Sequence, residues 1–244
     1  MMIKKGLVYI FFALAFAHIA NAQQTVTFSS LDGVTITADK YVVSTQKPYL
    51  ILLHQAGFSR GEYRETAPKL ANLGFNCLAV DLRSGNEVNF VKNSTALDAK
   101  EKGKPCSYLD ARQDITATIS YVAGISKKPI ILVGSSYSAS LALVEATNNF
   151  KVKAVVVFSP GEYFKNELNV KEATSMLYVP VLATSSRIEF EPMKKMLDHI
   201  KPKHLTLFKP TKEGVHGSRA LWESNPNHEE YWMALTQFFS QLKF

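Results

Sequence analysis

The chain has 244 residues, 46% of them hydrophobic, 20% charged and 11% aromatic, a globular composition that excludes disordered, collagenous and coiled-coil classes. Lys+Arg 28 against Asp+Glu 21 gives +7. There is no run of five like charges, no basic stripe interleaved with aromatics and no zinc-finger spacing, so nucleic acid is not an expected partner.

Residues 1–22 read as a signal peptide. Lys4 and Lys5 supply a positive start, residues 7–16 are almost unbroken apolar, and Ala20-Asn21-Ala22 is a small-x-small cleavage site before Gln23. The apolar run is shorter than the ~20 residues a membrane span needs, and no cysteine follows it to carry a lipid. The expectation is an exported protein, periplasmic or secreted, with residues 23–244 as one mature domain large enough to bury a sizeable core. An oxidising compartment permits a bridge between the two cysteines, Cys77 and Cys106. Against it, Cys77 lies in an apolar strand pattern that would turn its sulfur into a helix-covered face.

In the mature chain, residues 25–28 and 34–43 read as strands around the turn Asp32-Gly33. Residues 49–53 form a continuous apolar run, the mark of a strand buried on both faces. A helix is expected over 63–73, stopping at Gly74, and a strand over 75–80. The polar stretch 83–107 is too long for a plain connection and is expected to form a flap over the site. Ile115, Ile119 and Val122 recur at helical spacing. Strands at 130–133, 154–158, 179–183 and 204–208 then alternate with a small-residue helix from Tyr137, a helix ending near Ile200 and a terminal helix through Trp232 and Phe239. Such alternation predicts an α/β fold, a mostly parallel sheet with helices on both faces. Its ligand site belongs at the carboxyl ends of the strands.

At one strand end stands Gly134-Ser135-Ser136-Tyr137-Ser138. A serine on a sharp strand-to-helix turn is forced outward, and its neighbours two residues away must be small because the two backbones converge there. Gly134 and Ser138 satisfy that for Ser136; centring the turn on Ser135 would put Val133 and Tyr137 in those places. A serine nucleophile needs a base. Of the six histidines, His216 alone lies in a glycine-flanked loop after the last strand, Gly214-Val215-His216-Gly217. The imidazole needs a carboxylate to hold its tautomer. Glu189 follows the strand over 179–183 and is the first choice, with Glu191 and Glu162 as alternatives. Two backbone N–H groups must face the oxyanion: one from Tyr137, the other from Ala56 in His54-Gln55-Ala56-Gly57, with Gln55 as the alternative. No metal or organic cofactor is called for.

Together with Asp81-Leu82-Arg83-Ser84-Gly85 and Tyr108-Leu109-Asp110 with Asp114, these motifs resemble the α/β-hydrolase superfamily. The nearest likeness is to small secreted bacterial hydrolases of dienelactone-hydrolase-like or prolyl-oligopeptidase-like type. The resemblance implies an eight-stranded, mostly parallel sheet with a nucleophile elbow after its fifth strand. Dienelactone hydrolases proper carry a cysteine nucleophile where this chain has Ser136, so their substrate does not carry over. The expected activity is hydrolysis of a small-molecule ester, thioester or lactone through an acyl-enzyme. A non-catalytic binding protein on the same fold, or a peptidase, is the alternative.

Overall fold

The computed structural model describes residues 23–243; the leader expected over 1–22 lies outside them. Strands β1 (Gln24–Ser29) and β2 (Thr35–Tyr41) form an antiparallel pair, followed by β3 (Tyr49–Leu53). A 3-10 turn at Arg60–Tyr63 and helix α1 (Thr66–Asn72) lead to β4 (Asn76–Val80). The short hairpin β5 (Glu87–Val88) and β6 (Val91–Lys92), then α2 (Ser94–Glu101), precede α3 (Ala111–Ile125). The rest alternates strictly: β7 (Ile130–Ser135), α4 (Tyr137–Asn148), β8 (Val152–Phe158), α5 (Val170–Ala173), β9 (Val181–Thr184), α6 (Phe190–Met196), β10 (Leu205–Phe208) and α7 (His228–Gln241).

Eight strands form one sheet in the order β1-β2-β4-β3-β7-β8-β9-β10. All pairings from β4 to β10 are parallel, and β2 joins β4 antiparallel. The continuous apolar strand runs are explained by burial on both sides. Ile51 and Leu53 of β3, Leu132 of β7 and Val155 of β8 face one layer with Ile115 and Ile119 of α3, Leu141 of α4 and Met193 of α6. Their strand neighbours Leu50, Leu52, Ile131 and Val156 face the other, against Leu70 of α1 and Leu235 and Phe238 of α7. Among the described residues, no helix is long and apolar enough to cross a membrane.

Three expectations need correction. The helix expected over 63–73 begins at Thr66, because Pro68 lacks an N–H and fits only the first turn. Tyr63 is drawn away into the core, where its hydroxyl donates to the Leu53 carbonyl at 2.8 Å. The helix expected to end near Ile200 stops at Met196, and Ile200 is buried by the turn that follows. The stretch 83–107 is a buttress rather than a flap. Thr95 and Asp98 of α2 accept the N–H groups of Thr37 and Thr35 at 2.9 and 2.7 Å, docking the helix on β2. Asn93 bonds the Phe58 carbonyl at 3.1 Å and meets His54, so the segment supports the loop after β3 from behind. Its contact with the elbow is the Ser84 hydroxyl, 2.6 Å from that of Tyr137. Both cysteines are free thiols. Cys77 is buried in the α1–α7 layer, whereas Cys106 is exposed ahead of α3.

Candidate active site

The β7–α4 junction is the sharp turn that the sequence requires. Ser136 has φ 60° and ψ −125°, a left-handed conformation that costs of order 1–3 kcal/mol in a non-glycine residue. The closeness of strand and helix is visible at Gly134, where a Cβ would stand 2.5 Å from the Ala139 Cα. Ser138 does not crowd the turn. Its hydroxyl accepts the Ser135 N–H at 3.0 Å and lies 2.8 Å from the Leu53 carbonyl and 2.9 Å from that of Ser135. The serine in a usual glycine position therefore ties the elbow to β3.

Ser136, His216 and Glu189 form one hydrogen-bonded chain. The Ser136 hydroxyl lies 2.8 Å from His216 Nε2, and His216 Nδ1 lies 2.5 Å from Glu189 Oε1. With the ring neutral, Nδ1–H donates to the carboxylate and Nε2 accepts from the serine. The second oxygen of Glu189 accepts the hydroxyls of Ser159 at 2.8 Å and Ser186 at 2.6 Å. Partial burial alone would raise its pKa; the bonds from His216, Ser186 and Ser159 outweigh that and bring it down to about 2. The glutamate is thus an ionised acceptor, the state an imidazolium partner requires.

The competing carboxylates are engaged elsewhere. Glu162 accepts the N–H groups of Val170 and Lys171 at 2.7 and 2.8 Å, at the start of α5. Glu191 pairs with Lys209 on the surface. His54 is buried, with Nδ1–H donating to the Gln55 carbonyl at 2.8 Å and Nε2 accepting the Leu82 N–H at 2.8 Å. It ties the loop after β3 to the residues after β4, with both ring nitrogens engaged. Burial depresses its pKa to about 4.

For the oxyanion, Tyr137 opens α4, so its N–H has no partner four residues back. The positive end of the helix dipole lies there as well. The Gln55 N–H donates to Glu62 at 2.7 Å. Of the two loop candidates, the Ala56 N–H is the one with no protein acceptor among the described residues.

Several contributors were not legible in the sequence. Ser159, at φ 52° after β8, joins the acid to the base loop by donating to Glu189 and accepting the Gly217 N–H at 3.0 Å. Gly217 must itself be glycine: its φ is +74°, and a Cβ would stand 2.6 Å from the Ser135 hydroxyl. A groove of ≈ 380 Å³ lies beside the acid, lined by Pro160, Tyr163, Ile188, Glu189 and Met193 among others.

A mostly parallel eight-stranded sheet with a serine at its central strand–turn–helix junction is the α/β-hydrolase fold. The chain belongs to the dienelactone hydrolase family, whose model matches residues 31–209. Among solved structures it is similar to an esterase from Pyrococcus furiosus, with 16% identity over 90% of each chain and a TM-score of 0.69. A dienelactone hydrolase from Anabaena variabilis ATCC 29413 superposes with the same TM-score, at 14% identity over 91% of this chain and 99% of its own. The acylaminoacyl peptidase of Pyrococcus horikoshii shares the fold at 14% identity over 90% of this chain but 41% of its own, with a TM-score of 0.65. No curated protein matches the chain by sequence.

Proposed function

We propose that the protein is an exported serine esterase that cleaves a carboxylic ester, thioester or lactone through an acyl-enzyme. The observation that carries this reading is the unbroken chain from the Ser136 hydroxyl through His216 to Glu189. Export rests on the composition of residues 1–22 alone.

In this reading Ser136 Oγ attacks the substrate carbonyl carbon while its proton passes to His216 Nε2. The tetrahedral oxyanion takes the N–H groups of Tyr137 and Ala56. The imidazolium, stabilised by Glu189, gives its proton to the departing alkoxide or thiolate and leaves an acyl-serine. Water then attacks the acyl carbon, its proton going to Nε2 and on to Ser136 Oγ as the carboxylic acid departs. The groove beside Glu189 presents Pro160, Tyr163, Ile188 and Met193 to the substrate, an apolar lining suited to an alkyl group.

A panel of nitrophenyl esters of rising chain length, run with variants, tests the reading. Ser136→Ala and His216→Ala should each lose nearly all turnover, about 10⁴-fold or more, and the double variant should be hardly worse than either. Additive losses, or full turnover by Ser136→Ala, would overturn it.

A further inference from the structure

Behind the site sits a carboxylate that the proton relay does not use. Glu62, in the 3-10 turn before α1, is fully buried. Its Oε1 accepts the hydroxyls of Ser135 at 2.7 Å and Ser218 at 2.6 Å, and its Oε2 accepts the N–H of Gln55 at 2.7 Å. Its backbone carbonyl accepts the Trp222 indole N–H at 2.9 Å. The three donors to its carboxylate, two hydroxyls and one backbone N–H, come from three different segments of the chain. Ser135 immediately precedes Ser136, Ser218 lies two residues beyond His216, and Gln55 immediately precedes Ala56. The Ser218 N–H also donates to the Ser135 hydroxyl at 2.8 Å, closing the network.

A buried carboxylate is an expensive way to fill space. Among the described residues no lysine or arginine forms an ion pair with Glu62, so its desolvation, which raises its pKa, is offset only in part by the bonds it accepts. A group of this kind is the one acceptor able to take three donors from three directions while offering none. Its hold on the Gln55 N–H also takes that donor away from the site, while the Ala56 N–H that follows has no protein acceptor among the described residues.

We infer that Glu62 is a positioning residue that holds the nucleophile, base and oxyanion loops in one register, so that Ser136, His216 and the Ala56 N–H meet the substrate together. This rests on the esterase reading. A misplacement of about 1 Å in such an arrangement costs on the order of 100-fold in rate, and the three loops share no other common acceptor in this network.

The test is Glu62→Gln, which keeps the volume. In either orientation of the amide, at least one of the three donors loses its acceptor. Active sites are counted by fluorophosphonate labelling, and turnover is expressed per labelled site. The expected result is a fall in kcat of about 10- to 100-fold with KM within about twofold. Ser218→Ala should show a smaller fall with the same split, and adding it to Glu62→Gln should do little more. If Glu62→Gln does not fold, Ser218→Ala and Ser135→Ala carry the test with the same expected split. Normal kcat per labelled site in the folded variants, with Ser136→Ala inactive, would overturn this inference alone. Full turnover by Ser136→Ala would overturn the esterase reading and this inference with it.

Discussion

At Glu189 four donors converge on one half-buried carboxylate: the imidazole of His216 on one oxygen, and the hydroxyls of Ser159 and Ser186 with the Ser186 N–H on the other. With its pKa lowered to about 2 from the ordinary 4.5, the group contributes stability that is present above about pH 4.5 and is lost as pH falls through 2. Glu189→Gln should keep the fold but lower kcat by about 10³–10⁴-fold, because the amide can favour the wrong tautomer and cannot stabilise an imidazolium. Glu162→Gln and Glu191→Gln should leave kcat within about twofold; a large loss in either would move the acid. His54 makes the opposite kind of prediction, one of stability without catalysis. Its pKa is depressed from 6.5 to about 4 by burial, and protonation would set an N–H against the Leu82 N–H that Nε2 now accepts. The fold's preference for the neutral ring is therefore fully present above about pH 6.5 and is lost progressively as pH falls toward 4, up to about 3 kcal/mol. Urea unfolding at pH 7 and pH 5 should show a larger loss for the native protein than for His54→Gln. Equal losses would contradict the assignment.

Elements were legible wherever the residue pattern alone decides them. The apolar runs of β3 and β7, the small residues around Ser136 and the helical spacing of Ile115, Ile119 and Val122 each specify one structure. Boundaries were less legible where one residue overrides the pattern, as Pro68 does at the start of α1. The stretch 83–107 is less legible because a few of its polar residues, Arg83, Asn93 and Thr95, are buried and anchor it while most of the others are exposed. Arg83, with no side-chain exposure, pairs with an equally buried Asp114 of α3 at 2.8 Å and with Asp32 of the β1–β2 turn at 2.7 Å. A guanidinium shared between two carboxylates from distant positions leaves no periodic trace in the sequence. Asp114→Ala removes one partner of a buried pair and should destabilise by about 3–5 kcal/mol, read as a lowered urea midpoint. A change below about 1 kcal/mol would show that the cluster contributes little to anchoring this segment. The Cys77–Cys106 bridge that an oxidising compartment would permit is not formed, as the strand pattern of Cys77 argues: burial commits Cys77 to the α1–α7 layer, while Cys106 is exposed.

Across the whole molecule, the parallel sheet divides the labour between its two ends. Lys127, Lys128, Lys151, Lys153, Lys201 and Lys203 lie at or near the amino ends of β7, β8 and β10. The carboxyl ends of α3 and α4 point to the same edge and favour cations there. Ser136, Glu189 and His216 come instead from the carboxyl-end loops after β7, β9 and β10, so residues up to 80 positions apart converge within hydrogen-bonding distance. The sequence offers all three as candidates, on the turn pattern around Ser136, the glycine-flanked loop of His216 and the place of Glu189 after a strand. Glu62 and Ser159 were not found, because a buried glutamate and a serine after a strand carry no motif of their own. The direct test of Ser136 as an activated nucleophile is intact-mass and peptide-mapping analysis after exposure to a fluorophosphonate. The account predicts one adduct per chain, mapped to Ser136, absent in Ser136→Ala and greatly slowed in His216→Ala. An adduct on another residue, or none at all in folded native protein, would contradict it.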